Sequence, residues 1–182
     1  VVASRGLGDV YKRQGSLIVN HKDINKIAFT GSTQVGKLIQ KSLAGRDVGL
    51  TLELGGKAAN IVYEDAAIDQ AVEGVVNGIF FNQGHVCCAG SRLLLQESIH
   101  DEFVAKLEKR MQTLRVGNPL DKNTDIGAIN SKEQLNKIEG LVNEGVSDGG
   151  KIFQTECELP GNGFWFKPCL LYTSDAADDI TG

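Results

Sequence analysis

Cys87 is a candidate nucleophile, because a cysteine thiol can attack an electrophilic carbon. Attack needs a thiolate, so its surroundings must favour the charged form. It lies in Asn82-Gln83-Gly84-His85-Val86-Cys87-Cys88, past a glycine-containing break and just before a strand-like run. On spacing alone the same cysteine also fits a small buried hydrophobe. His85 stands two positions away, where residues on a helix do not generally face each other. A zinc site from His85, Cys87 and Cys88 would need a second ligand pair at the usual spacing, and none appears. No metal is expected.

Glu53 is the second candidate. It closes the otherwise apolar run Leu50-Thr51-Leu52-Glu53-Leu54, ahead of Gly55-Gly56. A carboxylate in such a strand needs a partner or a chemical role. An outward-facing strand residue remains the open alternative. The third candidate is the turn Gly31-Ser32-Thr33-Gln34-Val35-Gly36-Lys37. It fits most of a phosphate-binding P-loop, whose last position must be Ser or Thr to hold magnesium. That position is Leu38, so a P-loop NTPase is not expected. A turn from strand to helix still points backbone N–H groups at an anion, and a pyrophosphate would suit it. Taken alone, the turn is better read as a helix start without a ligand.

These residues need elements to hold them. Lys26-Ile27-Ala28-Phe29-Thr30 predicts a short strand. Ser32 or Thr33 then caps a helix with Val35, Leu38, Ile39 and Leu43 on its apolar face, and Gly45 lies at its end. Residues 50–54 and 59–63 predict two more strands. Asp65 is expected to cap a helix with Ile68, Val72, Val75, Ile79 and Phe80 on one side, broken at residues 82–85. Residues 91–96 are strand-like. Ile99, Phe103, Leu107, Met111 and Leu114 mark an amphipathic helix, residues 131–146 another helix, and 151–154 a strand. Strands alternating with helices predict an α/β fold with a largely parallel sheet.

Composition narrows the function classes. A chain of 182 residues with 41% hydrophobic content supports a sizeable core and argues against disorder. The net charge of −4 argues against a nucleic-acid footprint. No apolar run approaches the roughly 18 residues of a membrane span, and no hydrophobic signal segment follows Val1. The four cysteines are unevenly placed, which fits a reducing cytoplasm better than a disulfide framework.

The two flanks read differently. The chain begins with Val1 rather than Met, so its true start is expected upstream. Asp9-Val10-Tyr11-Lys12-Arg13-Gln14 can be written in codons as GAT GTG TAT AAG AGA CAG. The reverse complement of that DNA, extended by one base, translates as Cys-Leu-Leu-Tyr-Thr-Ser, the sequence of residues 169–174. The ends therefore resemble inverted copies of a transposase-type sequencing adapter, and residues 1–14 and 169–182 are expected to be artefact.

Between the flanks the motifs resemble the aldehyde dehydrogenase superfamily. The matching segments are Phe29-Thr30-Gly31-Ser32-Thr33-Gln34-Val35-Gly36, then Glu53-Leu54-Gly55-Gly56-Lys57, then the run from Phe80 through Cys87 to Arg92. Gly117-Asn118-Pro119 and Gly163-Phe164-Trp165-Phe166-Lys167-Pro168 fit as well. The resemblance implies that residues 15–54 end a Rossmann-like dinucleotide-binding domain. Residues 55–168 would belong to an α/β catalytic domain.

It also implies roles. Cys87, rather than Cys88, matches the catalytic thiol, and Glu53 the general base. Gly31, Ser32, Thr33, Gly36 and Leu54 match the cofactor-binding set for NAD or NADP. The implied reaction oxidises an aldehyde to a carboxylic acid through a thiohemiacetal and a thioester. The family's side-chain oxyanion donor is expected upstream of Gly15, so the chain alone is expected to be inactive. The resemblance further implies a cytoplasmic homo-oligomer. A thiol hydrolase using Cys87 and a non-catalytic relative are the alternatives.

Overall fold

The computed structural model describes residues 5–172, with side chains from residue 13 onward. The chain divides into two compact units, and the break falls between Gly56 and Lys57. The first unit has the element order α1 (Arg5–Asn20), β1 (Lys26–Thr30), α2 (Thr33–Leu43) and β2 (Gly49–Glu53). β1 and β2 pair in parallel, from Lys26 opposite Gly49 to Thr30 opposite Glu53. Parallel strands cannot be joined by a tight turn, and α2 makes the crossover. Val19 of α1, Ile27 of β1, and Ile39 and Leu43 of α2 form the core of this unit. Arg46 fastens the end of α1, its guanidinium donating to the carbonyls of Val19 (2.6 Å) and His21 (2.9 Å). α1 runs through part of the flank set aside on sequence grounds.

The second unit contains β3 (Ala59–Val62), α3 (Ile68–Phe80), β4 (Arg92–Leu95), α4 (His100–Met111), α5 (Lys132–Ser147), β5 (Lys151–Gln154) and β6 (Cys169–Tyr172). β3 and β4 pair in parallel across α3. β5 and β6 pair antiparallel, with Gln154 opposite Cys169, and β6 lies in the second flank. The described strands thus form two parallel pairs bridged by helices and one antiparallel pair.

The core of the second unit is built on α4. Phe103, Leu107 and Met111 recur every fourth residue and are almost wholly enclosed, with Phe103 at 0% exposure. They share one cluster with Val72, Val75 and Val76 of α3. Above this seam α3 and α4 exchange ion pairs. Lys106 Nζ lies 2.7 Å from Asp69 of α3 and 3.0 Å from Glu102 of its own helix, and Arg110 Nε lies 2.6 Å from Glu73 of α3. Hydrogen bonds to Asp69 and then Glu102 raise the Lys106 pKa, and the bond to Glu73 raises that of Arg110. Such exposed pairs each contribute little, so the apolar seam dominates.

Several sequence expectations need correction. Asp65 does not cap α3. The N-cap is Ala67, which offers no side-chain acceptor, and residues 64–66 form a turn closed by Ala66 N donating to Tyr63 O. Val35 and Leu38 of α2 are exposed, although Ile39 and Leu43 are buried. The buried stripe of α2 runs through Gly36, Ile39 and Leu43, and Val35 and Leu38 lie beside it. The face of β3 and β4 that carries Ile61 and its register partner Leu94 is also open, at 60% and 48% exposure. Among the described residues, no helix is long and apolar enough to cross a membrane.

The α4 seam yields a stability prediction. Phe103→Ala should lower the unfolding free energy by about 3–5 kcal/mol. Denaturant titration should show a lower midpoint with an unchanged slope. A shift below about 1 kcal/mol would mean that Phe103 is not a core anchor.

Candidate active site

The glycine turn and Glu53 meet in the first unit. β1 ends at Thr30 and α2 begins at Thr33, so Gly31 and Ser32 make the whole connection. Ser32 is the N-cap, and its hydroxyl accepts a hydrogen bond from Val35 N at 3.3 Å. Its carbonyl accepts from Gly36 N at 3.0 Å. The backbone N–H groups of Thr33 and Gln34, in the first turn of the helix, have no intrahelical acceptor. Together with the helix dipole they form a positive end suited to a phosphate. Gly31, Ser32 and Thr33 are exposed.

Gly31 N donates to the carbonyl of Glu53 at 3.0 Å, tying the turn to the end of β2. The Glu53 side chain is exposed, so it needs no buried counter-charge. Leu54, just beyond, is half-buried. A Cβ on Gly36 would stand 2.7 Å from Leu54 Cδ2, so glycine is what allows α2 to pass this closely. The cofactor-binding set proposed from sequence therefore gathers around one strand–turn–helix junction. These residues fit a dinucleotide phosphate.

Cys87 belongs to the second unit. Ala89 N donates to Val86 O at 3.0 Å, closing a turn with Cys87 and Cys88 at its centre. Both thiols are exposed. The Cys87 backbone N–H has no hydrogen bond among the described residues. Behind this turn, Gly90 N donates to Gly78 O at 3.1 Å, and Asn60 Nδ2 donates to Gly90 O at 3.0 Å. A Cβ on Gly90 would stand 2.6 Å from Asn60 Cγ, so position 90 must be bare where it meets the amide. Arg92 adds a further anchor, its Nε donating to Lys57 O at 3.0 Å.

Ahead of Cys87 the chain makes a short left-handed turn within Phe81–Gly84, with φ of 49° at Asn82, 56° at Gln83 and 72° at Gly84. The sequence suggested a break at 82–85 but not the left-handed conformation of two non-glycine residues. It also gave no role to Asn60 or Gln83. Their hydrogen-bond partners lie far away in sequence, where local pattern carries no signal. No hydrogen bond joins His85 to Cys87 among the described residues, and His85 Nε2 is enclosed without a partner. Among the described residues no group of three His, Cys, Asp or Glu could hold a metal ion. An open cleft of about 500 Å³, lined by residues 112–116 with Cys157 and Glu158, includes none of the candidate residues.

Residues 8–181 match the model of the aldehyde dehydrogenase family. The chain belongs to the aldehyde dehydrogenase family. Among curated family members it is 47% identical over 171 residues to retinal dehydrogenase 2 of Taeniopygia guttata, covering 91% of this chain and 32% of that protein. Human retinal dehydrogenase 2 is 46% identical over the same shares. Of solved aldehyde dehydrogenases, one from Bacillus cereus superposes with a TM-score of 0.81 at 37% identity, covering 92% of this chain and 34% of that one. An NAD+ complex of an aldehyde dehydrogenase from Bacillus cereus superposes at 0.78 and 37% identity, over 86% and 32%. The chain thus spans about a third of the length of these relatives. The family match runs into both flanking segments.

Accessibility orders the thiols of this family member. Burial pushes the Cys169 thiol pKa up, whereas Cys87 and Cys88 sit on an exposed turn. Only thiolate alkylates readily. A short iodoacetamide pulse near pH 8, read by peptide mass spectrometry, should modify Cys87 and Cys88 first and Cys169 last. Early labelling of Cys169 would contradict the burial of that strand.

Proposed function

We propose that the whole protein oxidises an aldehyde to a carboxylic acid with NAD or NADP. The observation that carries this reading is an exposed Cys87 on a turn fastened from both sides, in a chain with the family's glycine turn and Glu53. In this reading residues 15–54 complete a dinucleotide-binding domain, and 55–168 contribute to the catalytic domain. The phosphates are held at Gly31, Ser32 and Thr33, at the start of α2. Gly36 and Leu54 shape the wall beside them.

Cys87 Sγ attacks the aldehyde carbon as a thiolate, forming a thiohemiacetal whose oxygen carries the negative charge. In this reading the Cys87 backbone N–H donates to that oxygen. The nicotinamide, when bound, supplies the hydride acceptor that the oxidation needs. The product on the enzyme is a thioester at Cys87. Glu53 takes a proton from water, which adds to the thioester carbon, and the carbon–sulfur bond breaks to release acid and thiol. The uneven placing of the cysteines suits a reducing compartment better than a disulfide framework, which supports the cytoplasm as the working location. The partner is a small aldehyde, and the whole protein is a homo-oligomer.

The full-length protein tests this. Cys87→Ala should reduce aldehyde-dependent NAD(P)H formation roughly a thousandfold or more while dinucleotide binding persists. Glu53→Gln should slow thioester hydrolysis about a hundredfold, leaving a burst of NAD(P)H ahead of a slow steady state. Retained turnover in Cys87→Ala would exclude this mechanism. Ester cleavage by Cys87 without any aldehyde oxidation would point to a thiol hydrolase. Aldehyde-dependent reduction of NAD(P) is therefore the deciding assay.

A further inference from the structure

The loop that carries Cys87 departs from ordinary backbone at three consecutive residues. Asn82, Gln83 and Gly84 all have positive φ. Glycine adopts this region freely and asparagine tolerates it, but glutamine has no such local compensation. A conformation of this kind persists only when its surroundings hold it.

What holds Gln83 is its own side chain. Nε2 donates to Ala128 O at 2.9 Å, and Oε1 accepts from Gly127 N at 3.3 Å. Both ends of one amide therefore engage two successive residues of a distant segment. That segment is well anchored. Ile126 and Ile129 are buried, Ile129 N donates to Phe164 O at 2.7 Å, and Ile126 O accepts from Gly117 N at 3.0 Å. A Cβ on Gly127 would stand 3.4 Å from Gln83 Nε2, in ordinary contact, so the amide lies directly against this stretch of backbone. The hold is passed forward. His85 N donates to Asn82 O at 2.9 Å, and Asn82 Nδ2 donates to His85 O at 3.2 Å. The Cys87 turn begins at the next residue.

We propose that Gln83 is a positioning residue for Cys87. Its amide spans Gly127 N and Ala128 O, holds the left-handed turn and thereby sets where the Cys87 thiol stands. The proposal rests on the reading of Cys87 as nucleophile. Gln83 touches no reacting atom, so its effect falls on the rate of chemistry and not on dinucleotide binding.

Steady-state kinetics of the full-length protein decide it, with Cys87→Ala as the reference. Gln83→Ala removes both hydrogen bonds. Its kcat should fall about ten- to a hundredfold, the scale of a misplacement of roughly 1 Å. KM for the dinucleotide should stay within about twofold. Gln83→Met, which keeps the volume but not the bonds, should show the same split, and circular dichroism should report both variants folded. If Cys87→Ala is inactive while folded Gln83 variants keep kcat within about twofold, this proposal alone is overturned. A rise in dinucleotide KM at unchanged kcat overturns it too, as does a kcat loss that vanishes well below the melting temperature. Failure of both variants to fold also overturns it, since Gln83 would then hold the fold rather than the thiol. An active Cys87→Ala overturns both readings.

Discussion

In a parallel pair the end of one strand and the start of the next lie at opposite ends of the sheet, so the chain must cross back before it can pair again. That requirement governs the layout of both units. β1 reaches β2 through α2, and β3 reaches β4 through α3. Each crossover creates a junction where ordered backbone gives way to a turn, and every residue with candidate chemistry sits at or beside such a junction. Gly31 and Ser32 occupy the exit from β1, Glu53 the exit from β2, and Cys87 the passage from α3 to β4. Each unit packs its helices on an apolar cluster of its own, Ile27, Ile39 and Leu43 in the first and Phe103, Leu107 and Met111 in the second. The chemistry rests on loops, but on loops that begin and end on packed elements.

The two junction types are secured differently. At β1–α2 the chain is held by local means, a serine cap and a glycine amide bonded to the neighbouring strand end. At α3–β4 it is held by reach. Asn60 comes from β3, Gln83 extends to Gly127 and Ala128, and Arg92 returns to Lys57. A phosphate-binding turn needs only its own N–H groups correctly aimed, which local bonds achieve. A thiol must meet groups from elsewhere in the protein, and long-range ties give it a fixed direction.

This difference explains what the sequence revealed. The strands at 26–30 and 151–154, the cap at Ser32 and the helix bearing Phe103 were legible because their signals are local periodicity and capping chemistry. So was the α/β class, and the spacing of the motifs pointed to the family. Asp65 misled because an acidic residue near a helix start satisfies the same pattern as a true cap, while the chain there had already turned at Tyr63. Val35 and Leu38 misled because apolar identity does not say which side of a helix meets the sheet. Gln83 was invisible, since nothing local marks a glutamine whose partners lie more than forty residues away. The open apolar face at Ile61 and Leu94 was equally illegible. Parallel pairs in α/β proteins are normally covered on both sides, and this chain spans about a third of its relatives.

The contact between Asn60 and Gly90 reaches beyond stability. The carbonyl of residue 90 takes a hydrogen bond from the amide of residue 60, while the space beside it is already filled by that same amide. Positions 60 and 90 are therefore coupled in both shape and hydrogen bonding. A larger residue becomes admissible at 90 only when the partner on β3 shrinks, and the shrunken partner gives up its bond. A change at 90 alone meets the amide, whereas paired changes at 60 and 90 open new ways of setting the floor beneath the thiol.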